Sequence, residues 1–203
     1  MAGIRRVKGV KRFGQPVGNW LTVREGQQLV GAVRTDTLRG KRDAAMLGLL
    51  LGCGLRRSEV ANLEIERIQR RDGHWAIVDL VGKAGHVRTV PVPLWVKTAI
   101  DSWSSAAGIS EGRLFRAIRK NGVLWGRGVT QNVVWYVVKK SATRAGIDKL
   151  APHDLRRSCA RMCHAAGGEI EQIQFLLGHA SVQTTERYIG CKQELGQAVN
   201  DRN

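Results

Sequence analysis

Apolar residues recur at helical spacing along most of this chain, and the one stretch where the period changes, residues 74–93, does most to limit what it can fold into. There Trp75, Ile77 and Asp79-Leu80-Val81 suggest one strand and residues 87–92 a second. Gly82-Lys83-Ala84-Gly85 between them has the composition of a hairpin turn. Pro91 and Pro93 remove ladder donors, which makes the second strand an edge or an end. A single hairpin among helices rules against a doubly wound sheet, which needs recurring strand–helix alternation. The expected class is α+β: a mostly helical domain with a small antiparallel β-hairpin sheet.

The flanking sequence divides into helices with readable ends. Residues 1–21 are a glycine-rich basic tail or linker, and the folded domain is expected over 22–203. Thr22 with Glu25 three residues on has capping-box spacing and opens a helix carrying Leu29, Val30 and Val33 to about Thr35. A second helix runs from about Leu38 until Gly52 and Gly54 stop it, and a short third covers about 57–63. Further helices are expected over 95–106, from a cap at Thr130 to about Ala145, and from a cap at Asp154 to about Ala165. Gly167-Gly168 breaks the last of these, before short helices at 169–176 and 182–188. Tyr136 falls within the apolar periodicity of its helix and is expected to be core or half-core.

Composition matters through its charge. Thirty-three Lys and Arg face 17 Asp and Glu, a formal +16, and self-repulsion of that size has no use in folding. A polyanion explains it best, because Lys and Arg gain affinity for a duplex by releasing condensed counterions. An anionic membrane surface and plain surface solubility are the other readings. The basic residues are clustered: none of the first 24 residues is acidic, nor is any from Gly112 to Ile147. Two separate basic zones suit a protein that meets a long duplex at more than one place. No apolar run reaches membrane-span length and no secretory signal is present. Cys53, Cys159, Cys163 and Cys191 lack ligand partners at workable spacing, so they are read as small buried residues in a reducing cytoplasm, with no metal.

Three segments hold polar chemistry that a packed helical domain has little use for. In Gly54-Leu55-Arg56-Arg57-Ser58-Glu59, Arg56 stands where one helix stops and another begins. It either reaches an anion held there by free helix N–H groups or pairs with Glu59 and caps the preceding helix. In His153-Asp154-Leu155-Arg156-Arg157-Ser158, His153 and Arg156 share a helix face. They form either a phosphate clamp with a proton-transfer group or a capping histidine beside a surface arginine. Arg157 points elsewhere, toward a salt bridge or a DNA backbone. In Leu176-Leu177-Gly178-His179, the histidine is followed nine positions later by Tyr188. A phenol with its pKa near 10 needs a base or cationic surroundings before it attacks anything.

Taken together, Gly54-Leu55-Arg56, His153-x-x-Arg156, Leu177-Gly178-His179 and Tyr188 resemble, in order and spacing, the signature of the tyrosine recombinase, or phage integrase, family. The resemblance covers about residues 22–195. The family places a lysine in the turn of its β-hairpin, here Lys83, with the family-like Arg88-Thr89-Val90-Pro91 following. The resemblance implies a catalytic domain in which Tyr188 attacks a scissile phosphate and forms a 3′-phosphotyrosyl link. Arg56 and Arg156 resemble the pair that holds the non-bridging oxygens, and His179 the donor that completes the charge stabilisation. By the same resemblance His153 manages the tyrosine proton, Lys83 is general acid for the departing 5′ oxygen, and Glu59 orients its neighbours. No metal or cofactor is required, since the nucleophile is covalent and the cations are side chains.

The implied partner is double-stranded DNA, with a homo-oligomeric, tetrameric synapse formed on it and a monomer open as the free form; no membrane is implied. The implied setting is a prokaryotic cytoplasm, nucleoid-associated when DNA is bound. Candidate DNA contacts are Arg5, Arg6, Lys8, Lys11, Arg12, Arg57, Arg127, Lys139, Lys140 and Arg157. Family members usually begin with a core-binding domain that this chain lacks, which leaves an excised half or a naturally short relative as readings. The tail after Tyr188 is marginal for docking on a neighbouring protomer. Two other functions stand beside the recombinase: a type IB topoisomerase-like nicking-closing enzyme, and a DNA-binding module that has lost turnover.

Overall fold

A computed structural model describes residues 19–82 and 85–190 of the chain. The expected class holds: helices surround one small antiparallel sheet. Helix α1 (Val23–Gly31) opens with the capping box read from the sequence, the Glu25 carboxylate accepting Thr22 N–H at 2.8 Å and Thr22 Oγ1 accepting Glu25 N–H at 3.3 Å. It ends at Gly31, short of the expected Thr35, because residues beyond it turn to bring Thr37 into place as the cap of α2 (Leu38–Gly52). That helix is the centre of the molecule. Every residue from Ala44 to Leu51 is buried on it, and its one buried charged pair, Arg42 with Asp43, closes on itself at 2.7 Å.

Helix α3 (Arg57–Asn62) follows after a turn at Gly54, which lies in the left-handed region at φ +60. A side chain there would strain the backbone, and its Cβ would stand 2.7 Å from Leu177 Cδ2 and 3.3 Å from Cys159 Sγ. Gly54→Ala is expected to cost about 2–4 kcal/mol from strain and overpacking together, read as a lower urea midpoint at unchanged m-value. A midpoint within experimental error of the parent contradicts this packing.

The sheet has three strands in the order β1 (Ile68–Arg71), β2 (His74–Val81) and β3 (Val87–Pro91). The last two pair antiparallel as expected, with β3 at the edge and Pro91 at its end. The first strand was not expected, since Ile-Gln-Arg-Arg carries no alternating apolar pattern. Its signal lies in Asp72-Gly73, both at positive φ, which form the tight turn opposite Arg71 and His74. Helix α4 (Leu94–Ala107) returns over α2, where Gly52 gives way to Trp95 and Val96; a Cβ there would lie 2.6 Å from each. A two-stranded ribbon, β4 (Ala117–Ile118) with β5 (Leu124–Trp125), fills part of what reads as loop.

Helix α5 (Gln131–Arg144) starts after Thr130 as expected, though the threonine side chain makes no capping bond. Tyr136 is 68% exposed, which corrects the core reading. The buried stripe of α5 is Val134, Val137, Val138 and Ser141, and a residue two on from Val134 points about 200° away from it. Helix α6 (Pro152–Ala165) begins earlier than expected. Ala151 is its cap residue and Asp154 lies in its first turn, accepting Ala151 N–H at 2.9 Å, so His153 and Arg156 are both within the helix. Helices α7 (Ile170–Leu177) and α8 (Val182–Ile189) complete the described residues. Ala160, Ile173, Leu177 and Ile189 form a small second core that binds α6, α7 and α8 together and so fixes the position of Tyr188.

Cys53 and Cys159 are buried and Cys163 is half-buried, all as thiols, while Cys191 lies outside the described residues. Among the described residues no cluster of three potential metal ligands occurs, and no helix is long and apolar enough to cross a membrane.

Candidate active site

Two chain junctions that are distant in sequence meet at one place. At the first, Arg56 is the residue before α3 and is tied to Glu59 twice, its N–H donating at 2.7 Å and its guanidinium at 2.8 Å. The pairing with Glu59 is therefore real, but it does not consume the arginine. The side chain stays 28% exposed, and Nη2 reaches 3.4 Å from the carbonyl of Gly178. At the second junction Gly178, left-handed at φ +61, ends α7 and presents His179.

Arg156 joins the two. It is 1% exposed and donates to the carbonyls of Gly54, in the turn between α2 and α3, and Leu177, the last residue of α7. It has no carboxylate within salt-bridge distance among the described residues. Burial, and then the neighbouring Arg56, bring its pKa down to about 10 even though Glu59 pulls the other way. Its charge is therefore held by two backbone carbonyls, with Glu59 the one carboxylate that acts on it from a distance.

Tyr188, half-buried on α8, lies between the two histidines. Its hydroxyl is 2.5 Å from His153 Nε2, and its ring meets those of His153 and His179 edge-on, with centroids 5.3 Å and 4.6 Å away. Desolvation, with Arg157 and Arg156 nearby, keeps His153 below the usual imidazole range. Desolvation together with Arg156, Arg56, His153 and Arg88 brings His179 down to about 4. His179 is therefore neutral at pH 7, and His153 is shifted toward its neutral form. His179 Nδ1 is 3.0 Å from Thr185 Oγ1, a fully buried hydroxyl on α8 that fixes the ring orientation.

Arg56, Glu59, His153, Arg156, His179 and Tyr188 are thus brought together. Lys83 lies outside the described residues, as do Arg5, Arg6, Lys8, Lys11 and Arg12. Gly82, next to Lys83, does reach the site: a Cβ on it would stand 3.3 Å from Arg56 Nη1. Of the other candidate DNA contacts, Arg127 and Lys140 are exposed and Arg57 is half-buried. Lys139 donates to Leu150 O at 3.1 Å, and Arg157 is occupied by Asp154 at 3.2 Å and Asn19 O at 3.1 Å. An open cleft of about 610 Å³ runs from Arg56 and Glu59 past Asp79 to Arg113.

Two residues at the site were not singled out from sequence. Arg88 donates to both Glu59 oxygens, at 3.0 and 2.9 Å, and to Leu176 O at 3.1 Å. Its readable sign is period two: it shares a strand face with Val90, which is fully buried, and so had to point inward. Thr185 is the second, one turn before buried Ile189 on the same face of α8.

Glu59 gives the site an acid sensitivity. Burial pushes its carboxyl up, but the Arg88 hydrogen bonds, the Arg56 N–H, the Arg88 charge and the Arg56 guanidinium bond outweigh it and hold it down to about 2, against 4.5 when unperturbed. A depressed carboxylate contributes stability above its unfolded pKa and loses it as pH falls toward the folded one. Roughly 3 kcal/mol should therefore disappear between about pH 4.5 and pH 2. In urea titrations over that window Glu59→Gln is expected to flatten the decline, and an unchanged slope contradicts the assignment.

Known proteins resemble this chain to different degrees. The profile of the Phage integrase family matches residues 19–194. Tyrosine recombinase XerA of Pyrococcus furiosus is 35% identical over 184 residues, covering 90% of this chain and 61% of that protein. Tyrosine recombinase XerC of Myxococcus xanthus is 34% identical over 193 residues, covering 89% and 61%. The chain thus spans about three-fifths of these relatives. Among solved structures, a XerA recombinase superposes with a TM-score of 0.69 at 24% identity, over 87% of this chain and 60% of that one. A XerH recombinase bound to its difH substrate in a pre-cleavage complex gives 0.74 at 18% identity, over 93% and 55%. Those two likenesses establish the fold.

Proposed function

Because the chain belongs to the phage integrase family of tyrosine recombinases, we propose that it is a catalytic domain that cleaves one strand of a DNA duplex through Tyr188 and rejoins it, as in site-specific recombination. The observation that carries this reading is the Tyr188 hydroxyl 2.5 Å from His153 Nε2, beside a cluster in which the guanidiniums of Arg56, Arg88 and Arg156 gather around Glu59.

Neutral His153 accepts the phenol proton as Tyr188 Oη attacks phosphorus. The P–O5′ bond breaks and a 3′-phosphotyrosyl link forms, with Lys83 supplying the proton to the departing 5′ oxygen. Arg156 and Arg56 hold the non-bridging oxygens, where guanidinium forks fit the accumulating charge. His179 Nδ1 is paired with the Thr185 hydroxyl at 3.0 Å, and in this reading the ring takes the tautomer with hydrogen on Nε2, which donates to the same oxygens. The phosphotyrosine keeps the bond energy, so attack by a 5′ hydroxyl restores DNA without a nucleotide cofactor. No step is assigned to a metal.

Residues 22–203 form the catalytic domain in this reading, and the basic segment 1–21 is a linker tracking along DNA. Duplex DNA is the partner, and the working assembly is a homo-oligomeric synapse, tetrameric as the family resemblance implies. A prokaryotic cytoplasm, with the protein on the nucleoid when bound, is the compartment that goes with it. The test is covalent capture on nicked suicide duplexes carrying candidate sites, followed by denaturing electrophoresis and peptide mapping. A protein–DNA adduct on the peptide that contains Tyr188 is expected. Absence of any adduct over a panel of sites, with duplex binding retained, would sink the catalytic reading in favour of a binding module.

A further inference from the structure

We propose that Arg88 is a positioning residue of this site: it takes up the Glu59 carboxylate so that Arg56 keeps its charge for a phosphate, and it anchors the hairpin turn to the Gly178–His179 segment. The inference rests on the cleavage reading above.

Glu59 is almost fully buried and accepts four hydrogen bonds, two from each of two arginines. The division is unequal. Arg88 meets the carboxylate fork to fork with both terminal nitrogens, whereas Arg56 gives one guanidinium bond and one backbone bond. Bidentate pairing is the stronger arrangement, so the carboxylate is committed chiefly to Arg88. Were Arg56 the sole partner, the pair would cancel and Arg56 would offer little to an incoming anion. With Arg88 present there are three guanidiniums, Arg56, Arg88 and Arg156, for one carboxylate, and the surplus lies at the open edge where Arg56 is 28% exposed.

The rest of Arg88 is used as a tie. Nε donates to Leu176 O at 3.1 Å, and the alkyl stem passes so close beneath Gly178 that a Cβ there would lie 2.8 Å from Arg88 Cδ. On the other side a Cβ on Gly82 would stand 3.1 Å from Arg88 Nη1. One side chain, 9% exposed, thus touches α3, the end of α7 and the start of the turn that carries Lys83. It makes no contact with Tyr188, so its role is exerted through others. The charged and titratable groups that face His179 are Arg156 and His153 from α6, Arg56 before α3, Arg88 from β3 and Tyr188 from α8. Arg88 is one of the cations holding His179 neutral.

The test is a double-mutant cycle on the full chain, read as single-turnover adduct formation on a saturating suicide duplex. Arg88→Met is expected to slow it by about 100-fold and Arg88→Lys by about 10-fold, with duplex Kd within about twofold of the parent. Adding Glu59→Gln to Arg88→Met should recover about 10-fold, because the carboxylate no longer neutralises Arg56. An Arg88→Met chain within threefold of the parent, or one that Glu59→Gln fails to rescue, overturns the proposal and leaves Arg88 a packing residue. Should Arg88→Met not fold, Arg88→Lys with and without Glu59→Gln decides the question in the same way. If the parent itself forms no adduct, the cleavage reading has failed and the Arg88 inference is decided without DNA. NMR titration should then place the His179 imidazole higher in Arg88→Met than in the parent and near the parent value in Arg88→Lys; equal values in all three overturn it.

Discussion

Tyr188→Phe is expected to lose the covalent DNA adduct altogether, a fall of about 10⁴-fold or more in single-turnover cleavage, as happens when a covalent nucleophile is removed. The substitution is a clean one here. The ring keeps its edge contacts with His153 and His179, and among the described residues the only hydrogen bond lost is the one to His153 Nε2. Stability should therefore stay within about 1 kcal/mol and duplex affinity within about twofold. The chain has one other tyrosine, Tyr136, which is 68% exposed on α5 and serves as the control. Tyr136→Phe should form adduct at the parent rate. An adduct that persists in Tyr188→Phe and disappears in Tyr136→Phe transfers the nucleophile to α5 and dismantles the site described above.

Arg156→Met is the second large effect, and its signature is a split between activity and stability. Cleavage should fall about 10³-fold, the order expected when a principal donor to the developing charge is removed. Stability should change far less. Holding a guanidinium charged at 1% exposure, with its pKa brought down to about 10, costs roughly 3 kcal/mol, which the substitution returns. Against that, the carbonyls of Gly54 and Leu177 lose their donors, at about 1–3 kcal/mol each. The two terms nearly offset, so Tm should move by no more than about 5 °C. A variant that unfolds outright would show that Arg156 is chiefly a structural brace; one that cleaves normally would remove it from the chemistry.

What the sequence made legible follows from the range over which each signal acts. The capping box at Thr22, the glycine stop of α2 and the β2–β3 hairpin are local, and all three stand as read. The six polar residues Arg56, Glu59, His153, Arg156, His179 and Tyr188 were readable as one set only through family resemblance, because no local pattern says that residues so far apart in the chain will meet. Their meeting is made by two carbonyl bonds from Arg156 and by the small core under α6, α7 and α8, both properties of tertiary packing. Strand β1 was lost because an amphipathic test finds nothing in Ile-Gln-Arg-Arg, while the Asp72-Gly73 turn that specifies it went unweighed. Tyr136 was misplaced because counting apolar residues in a helix does not say which of them share a face. Arg88 was seen only as part of a motif, since its partner Glu59 lies on another element.

Residue order within the site has a consequence for synthesis. The ribosome makes Arg56 and Glu59 first, the hairpin next, and His153, Arg156, His179 and finally Tyr188 last. Arg56 finds Gly178, and Arg156 finds Gly54, only when the two ends of this order have packed together. In the proposed reading a nascent chain therefore carries the basic residues for holding nucleic acid long before it carries the tyrosine for cutting it. On the cleavage reading proposed above, cutting begins only with completion of the fold, and a chain stalled or clipped before α8 is expected to compete for DNA without breaking it.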